Sequence, residues 1–327
     1  MKAILIKEFG GPEQLYLGEA PMPSFQNDEV LIKVKATALN RADTLQRKGS
    51  YPPPPGASEI LGLEMAGIIE KVGNNVTNWK AGDRVCGLLA GGGYAENVST
   101  HEKMLIPIPE KWSFEEATAI PEVFMTAFQA ISYLANFQKG ENILIHAGAS
   151  GVGTAAIQLA KSLGAAQIIV TASAPKHKIC KELGADVTID YKTQNFEEVI
   201  KEITNGKGVN AIIDFLGASY FQKNINSLAM DGRMVMLAFM GGINVEDVNI
   251  VNFLRKRIQI KGSTLRARTL DYKIQLTKDL INYAMPKFLT KELRPVIDST
   301  YDWKNVIEAH RYMEANRNQG KIVLSIS

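Results

Sequence analysis

Between Asn142 and Ala165 the chain carries a pattern able to hold a phosphate. An apolar run, Ile143-Leu144-Ile145, enters the turn Gly148-Ala149-Ser150-Gly151-Val152-Gly153. Ala155, Ala156, Leu159, Ala160 and Leu163 then recur on one helical stripe. A buried strand that turns through glycines into a helix leaves backbone N–H groups free at the positive end of the helix dipole, an arrangement suited to a pyrophosphate. Small residues at Gly151 and Gly153 let the backbone approach a ligand and let the helix lie close to the sheet. Glycines also serve ordinary strand–helix turns, so the context must decide; here the turn opens a series of alternating strands and helices.

The end of the next strand narrows the choice of dinucleotide. Thr171-Ala172-Ser173-Ala174-Pro175-Lys176-His177-Lys178 contains no acid. An acid there would bond ribose hydroxyls and repel a 2′-phosphate, whereas Lys176 or Lys178 with the Ser173 hydroxyl attracts one. Lysines at a helix start otherwise oppose the dipole. NADP(H) is therefore expected over NAD(H). Tyr191, after the third strand, is positioned for the adenosine end, although a rim tyrosine is the plainer reading. His146 reads as a packed histidine, and His101, His177 and His310 share no spacing with other ligand types.

These residues need a scaffold. The first third reads as β: Lys2–Phe9, Glu29–Ala38 and Ala66–Val72, separated by Gly and Pro turns. Ser113-Phe114-Glu115-Glu116 is a capping box, Pro121 interrupts the helix it announces, and a second helical stretch runs from Glu122 to about Asn136. Strands at Glu141–Ala147, Gln167–Ala172, Val187–Asp190 and Val209–Phe215 alternate with helices at Gly151–Leu163, Pro175–Leu183, Phe196–Thr204 and Ser219–Ala229, and Arg233–Phe239 is a further strand. Such alternation means an α/β fold with a doubly wound parallel sheet. Strands at Ile258–Leu265, Pro295–Tyr301 and Ile322–Ile326 and helices at Leu270–Met285 and Trp303–Ala315 complete the chain, placing the parallel sheet between two parts of a β-rich domain.

Composition bounds the function. The 327 residues are 46% hydrophobic with a net charge of +3, which gives no case for a nucleic-acid surface. Cys86 and Cys180 form no metal or disulfide pattern, as expected in a reducing compartment. No stretch of about 20 apolar residues suggests a membrane span, and the start does not read as a signal peptide. A cytoplasmic location is expected.

The words Ala38-Leu39-Asn40-Arg41-Ala42-Asp43, Gly62-Leu63-Glu64-Met65-Ala66-Gly67, Gly82-Asp83-Arg84-Val85, His146 through Gly153 and Gly320-Lys321-Ile322-Val323-Leu324 resemble the medium-chain dehydrogenase/reductase superfamily, in its zinc-free quinone oxidoreductase branch that includes zeta-crystallin. Gln46 through Tyr51, Pro121 through Phe128 and Met313 through Asn316 are most similar to its tumour-suppressor-inducible quinone oxidoreductases. The resemblance implies a GroES-like domain over residues 1–122, completed by 266–327, and a Rossmann domain over 123–265. It implies NADPH in the interdomain cleft, a small-molecule quinone substrate and a homodimer. Carried over by position, Asn40, Tyr51 and Thr126 belong near the nicotinamide and substrate. Ala149, Ser150, Gly151 and Val152 hold the pyrophosphate, and Ser173, Lys176 and Tyr191 the adenosine phosphate end. Phe239, Met240 and Gly241 line the nicotinamide pocket, with Ser263, Thr264 and Leu265 nearby and Asn316 and Lys321 as closing contacts. Many members have Gly at the position of Ser150.

Zinc-dependent members carry Cys and His ligands where this chain has Asn40 and Leu63, so only Glu64 remains, and one carboxylate cannot hold zinc. A metal-free enzyme is expected, with Glu64 as an ion-pair or capping residue. Without a metal to lower an alcohol's pKa, a quinone is the easier partner: it accepts a hydride or electrons directly. Asn40 and Tyr51 would orient the carbonyl, with Tyr51 or a water as proton donor. The competing readings are an NADPH-dependent reductase of activated C=C bonds in enals or enones, and a cofactor-binding protein with little turnover.

Overall fold

The computed structural model describes residues 1–326. The chain divides into two compact units. The first comprises Met1–Met125, Arg266–Pro286 and residues 294–326; the second comprises Thr126–Leu265 and Lys287–Leu293. The expected boundaries lie at 122/123 and 265/266. The first falls inside the helix Pro121–Phe128. Residues 287–293 also join the second unit, where Ser162 Oγ donates to Glu292 Oε1 at 2.8 Å.

The second unit is built on a six-stranded, wholly parallel sheet. Across the sheet the strands run Val187–Asp190, Gln167–Ala172, Asn142–Ile145, Val209–Asp214, Leu228–Met236 and Gln259–Gly262. In chain order this is 3-2-1-4-5-6, the doubly wound arrangement, whose direction of winding reverses between the first and fourth strands. The central strands carry the apolar runs Ile143–Ile145, Ile168–Val170 and Ala211–Ile213 because both faces are covered. Leu144, Ile169, Ile189, Ile212 and Met234 form a core with Phe196, Ile200 and Ile225.

The first unit holds a seven-stranded sheet and a hairpin of Lys2–Ile6 with Leu15–Glu19. Glu29–Ala38 is central and pairs antiparallel with Glu64–Val72, Asn97–His101 and Lys321–Ser325. Its alternating side chains bury Val30, Ile32 and Val34 against Leu39, Met65, Trp303, Ile322 and Leu324. Ser113 begins the helix Phe114–Thr118 with the expected capping box, its Oγ accepting from Glu116 N at 3.1 Å while Glu116 accepts from Ser113 N at 2.9 Å. Among the described residues no helix is long and apolar enough to cross a membrane.

Three elements depart from the sequence reading. The helix expected over Ser219–Ala229 ends at Ser227, and the following strand begins at Leu228 rather than Arg233. Asp231, with φ +57°, and Gly232 form a bulge that shifts the register between Val209 and Ala211, and this break reads in sequence as a turn. The helix from Leu270 runs to Leu289, through Pro286. The stretch after Pro121 is an α-helix only to Phe128 and a π-helix over Gln129–Leu134.

Candidate active site

The glycine turn sits where the winding reverses. Ser150 caps the helix Gly151–Ser162, its Oγ accepting from Gly153 N at 3.0 Å. Ser150 therefore serves first as a cap, with its hydroxyl proton still to donate. Among the described residues the N–H groups of Gly151 and Val152 make no hydrogen bond, so two donors stand open at the positive end of the dipole. A Cβ on Gly153 would run into the carbonyl oxygens of Ala147 and Gly148, which is why this position takes glycine. Ala147 turns the chain at φ +48°, a backbone shape that a Cβ resists.

The expected cofactor residues of this unit follow the carboxyl ends of parallel strands. Ala149–Val152 follow Ile145, Ser173 and Lys176 follow Ala172, and Tyr191 follows Asp190. Phe239–Gly241 follow Met236, and Ser263–Leu265 follow Gly262. Ligands of doubly wound sheets bind at that edge. Ser173 precedes a 3-10 turn, Ala174–Lys176, and no carboxylate lies in the segment. Tyr191, Phe239 and Met240 are exposed. Met240 N donates to Phe215 O at 3.0 Å and Gly241 N to Leu216 O at 2.7 Å, fastening this loop. Ser263 Oγ donates to Gln129 Oε1 at 2.9 Å. Thr126 departs from the pattern: it is buried within the helix Pro121–Phe128.

His146 is a packed residue, as read from sequence. It is buried between the rings of Phe196 and Tyr220, with Nδ1 3.0 Å from Thr171 Oγ1 and Nε2 2.7 Å from Asn224 Oδ1. Burial lowers its pKa and keeps it neutral.

In the first unit, Asn40 caps the helix Arg41–Arg47, its N–H held by Asp43 Oδ2 at 2.7 Å. The antiparallel register that sets Val323 opposite Ala38, continued two residues, brings Lys321 level with Asn40. Lys321 Nζ donates to Leu39 O at 2.8 Å and Asn40 Oδ1 at 2.7 Å, and lies 2.6 Å from Glu64 Oε1. Asn40 Nδ2 in turn donates to Glu64 Oε1 at 2.9 Å and Ala38 O at 3.2 Å. Glu64 Oε2 accepts from Glu122 N at 2.8 Å. Glu64 is thus both an ion-pair partner and a helix cap, fully buried with Lys321 3% exposed.

This arrangement bears on two of the expected site residues. The three donors of Lys321 are used inside the protein, on Leu39 O, Asn40 Oδ1 and Glu64 Oε1, so here it fixes Asn40. Asn40, 6% exposed, has both amide N–H groups committed, so only its carbonyl oxygen has a lone pair to spare. Asn316, at φ +54°, accepts from Arg41 Nη2 at 2.7 Å.

A second buried cluster lies beside the first. Arg47 Nη1 donates to His310 Nδ1 at 2.9 Å and Nη2 to Glu314 Oε1 at 2.8 Å. His310 Nε2 lies 3.4 Å from the Tyr94 hydroxyl, which donates to Asp43 Oδ2 at 3.3 Å. Burial raises the Asp43 pKa to about 6 against the N–H groups of Asn40 and Gly62. Burial and the Arg47 charge lower His310 to about 3.

Tyr51 is partly buried, and burial raises its pKa. The Arg266 guanidinium carbon lies 5.5 Å from its ring centroid. Sequence reasoning missed Arg266, although it directly follows Leu265; nothing in a lone arginine after a strand shows which way it points.

Among the described residues no group of three or more His, Cys, Asp or Glu side chains is placed to hold a metal ion. Residues 26–110 match the alcohol dehydrogenase GroES-like domain, and 151–279 the zinc-binding dehydrogenase family. The chain is 32% identical to a rat quinone oxidoreductase, over 99% of this chain and 97% of that one. The chain belongs to the quinone oxidoreductase branch of the medium-chain dehydrogenase/reductase superfamily. Among solved structures, a mycobacterial protein complexed with NADPH matches at TM-score 0.89 and 29% identity, covering 99% of this chain and 100% of that one. The CurK enoyl reductase matches at 0.86 and 28%, covering 100% and 99%. The chain is therefore an oxidoreductase with a GroES-like domain and a parallel Rossmann sheet. The zinc of the family's name does not fit these residues: the remaining carboxylate, Glu64, already carries an ammonium and a backbone N–H.

Proposed function

We propose that this oxidoreductase reduces quinones with NADPH and works without zinc. The observation that carries the reading is the buried Lys321–Glu64–Asn40 group, which puts a fixed ammonium where zinc-dependent relatives need open ligands. An acceptor that needs no Lewis acid suits such a site. The open N–H groups of Gly151 and Val152 would hold the pyrophosphate, and Ser173 and Lys176 the 2′-phosphate, since no acid competes there. NADPH bound so supplies a hydride. Lys321 holds the Asn40 carbonyl oxygen in a fixed orientation, and the Tyr51 hydroxyl has no hydrogen-bond partner among the described residues. Tyr51 is suited to orienting the acceptor and giving it a proton, whereas Asn40, with both N–H groups committed, can only accept from a donor on the bound molecules. The protein acts as a homodimer in this reading.

Steady-state rates with NADPH and NADH against naphthoquinones, ortho-quinones and enals test the proposal. NADPH should be preferred at least about tenfold, the scale of one charge-assisted phosphate contact, and added zinc or chelator should change nothing. Equal use of NADH, or activity lost to chelator, would overturn it. The likeness to an enoyl reductase favours one second reading, reduction of activated C=C bonds. Turnover of enals without turnover of quinones would establish that instead.

A further inference from the structure

Arg266 is 6% exposed, yet it is only partly satisfied. Its Nε donates to Ala90 O at 2.8 Å and its Nη2 to Gln46 Oε1 at 2.8 Å. Gln46 is itself anchored, with Nε2 donating to Glu59 O at 2.8 Å. The third nitrogen, Nη1, is buried and has no hydrogen-bond partner. Leaving a guanidinium N–H buried without an acceptor is costly, so its surroundings need an account. The electron-rich surface within reach is the Tyr51 ring, whose centroid lies 5.5 Å from the guanidinium carbon, inside the range of a cation–π contact. The arginine is thus clamped at two corners and turned toward one tyrosine, whose own hydroxyl is uncommitted.

We propose that Arg266 is a positioning residue: it grips the Tyr51 ring and makes the free hydroxyl a readier proton donor to the acceptor oxygen. This rests on the quinone reductase reading. A hydride supplied by bound NADPH would leave the acceptor as an oxyanion. The Tyr51 O–H bond breaks, a new O–H bond forms on that oxygen, and the tyrosinate regains its proton from water. The electrostatics agree in sign. Burial raises the Tyr51 pKa, Glu122 on the helix Pro121–Phe128 raises it further, and Arg266 opposes both. Asp43 and Lys273 are the charged groups that act on Arg266 in turn. Removing the guanidinium leaves burial and Glu122 unopposed, so the hydroxyl becomes a weaker acid.

The test uses the full chain as wild type, R266Q, R266K, Y51F, R266Q/Y51F and R266K/Y51F. Tyrosinate absorbance is titrated in each background and the Tyr51 contribution is taken by difference from its Y51F partner. R266Q should move that titration to higher pH, and R266K should restore most of it by returning the positive charge. With a naphthoquinone, R266Q should lower kcat/KM about tenfold, and Y51F about a hundredfold. R266Q/Y51F should be little worse than Y51F alone, because both act through one hydroxyl. NADPH affinity should not change. An unmoved titration in R266Q, or losses that multiply in the double variant, would overturn the proposal. Should R266Q not fold, Q46L, which removes one of the arginine's anchors, should shift the titration the same way against Q46L/Y51F. A wild-type protein that reduces no quinone overturns the functional reading, and the titration, which needs no turnover, still decides the Arg266–Tyr51 contact.

Discussion

Replacing Lys321 by methionine removes the ammonium that faces Glu64 and leaves a fully buried carboxylate with two hydrogen bonds, from Asn40 Nδ2 and Glu122 N, and no counter-charge. Leu39 O and Asn40 Oδ1 each lose a donor as well. Breaking a buried pair from one side costs about 3–5 kcal/mol, and the further orphaned acceptors put this variant in the upper half of that range. The three tryptophans, Trp79, Trp112 and Trp303, all lie in the first unit, so urea unfolding followed by tryptophan fluorescence reports on that unit alone. K321M should lower its midpoint accordingly. E64Q/K321M should recover most of the loss, because a neutral amide can still accept from Glu122 N and leaves no charge buried. A loss below about 1 kcal/mol in K321M, or a double variant that loses the sum of both singles, would refute the idea that the pair is a tightly coupled unit. K321M should also lower kcat/KM, since Asn40 is then free to turn.

Asp43 and His310 make opposite contributions to stability as pH changes. The folded pKa of Asp43 is raised to about 6, so its contribution is present below the unfolded value and lost as pH rises through 6. Relative to D43N, the wild type should lose about 3 kcal/mol between pH 3 and pH 7, at 1.36 kcal/mol per unit of the rise from 3.8 to about 6. The folded pKa of His310 is lowered to about 3, so its contribution is present above the unfolded value and lost as pH falls from about 6.5 toward 3. Comparing wild type with H310Q across that range should show the reverse slope, and thermal melts in matched buffers separate the two. K176A should weaken NADPH about tenfold and leave NADH unchanged, as read by isothermal titration; equal weakening of both would remove Lys176 from 2′-phosphate recognition. G153A should lose stability and weaken both dinucleotides, because its methyl collides with the Ala147 and Gly148 carbonyls; unchanged binding would mean that the turn holds no phosphate.

The parallel sheet was legible because its signals are local. Apolar runs, the glycine turn and the Ser113 capping box each lie within a few residues, and the strands Gln167–Ala172 and Val187–Asp190 begin and end as read. The bulge at Asp231-Gly232 was not, because only the neighbouring strand decides whether such a dipeptide ends an element or kinks it. The end of the Leu270 helix was missed for a related reason: a proline in a helix's last turns removes a single hydrogen bond, which the rest of the helix tolerates. The candidate site divides in the same way. Residues after parallel strands were placed by pattern, but the partner of Glu64 lies at Lys321 and that of Tyr51 at Arg266, separations no motif spans. The resemblance makes Lys321 a closing contact of the cofactor, whereas the antiparallel register turns it inward.

The charges of the first unit wait a long time for one another during synthesis. Arg47 meets His310 and Glu314 across separations of 263 and 267 residues, and Asn40 meets Lys321 across 281. The Rossmann unit is nearly contiguous and can close as soon as its own strands have left the ribosome, before the tail that completes the first unit exists. Until then the nascent amino-terminal third carries Glu64 and Arg47 with no counter-ions and leaves its central strand open along the edge later taken by Lys321–Ser325, so its last contacts can form only when the chain is nearly finished.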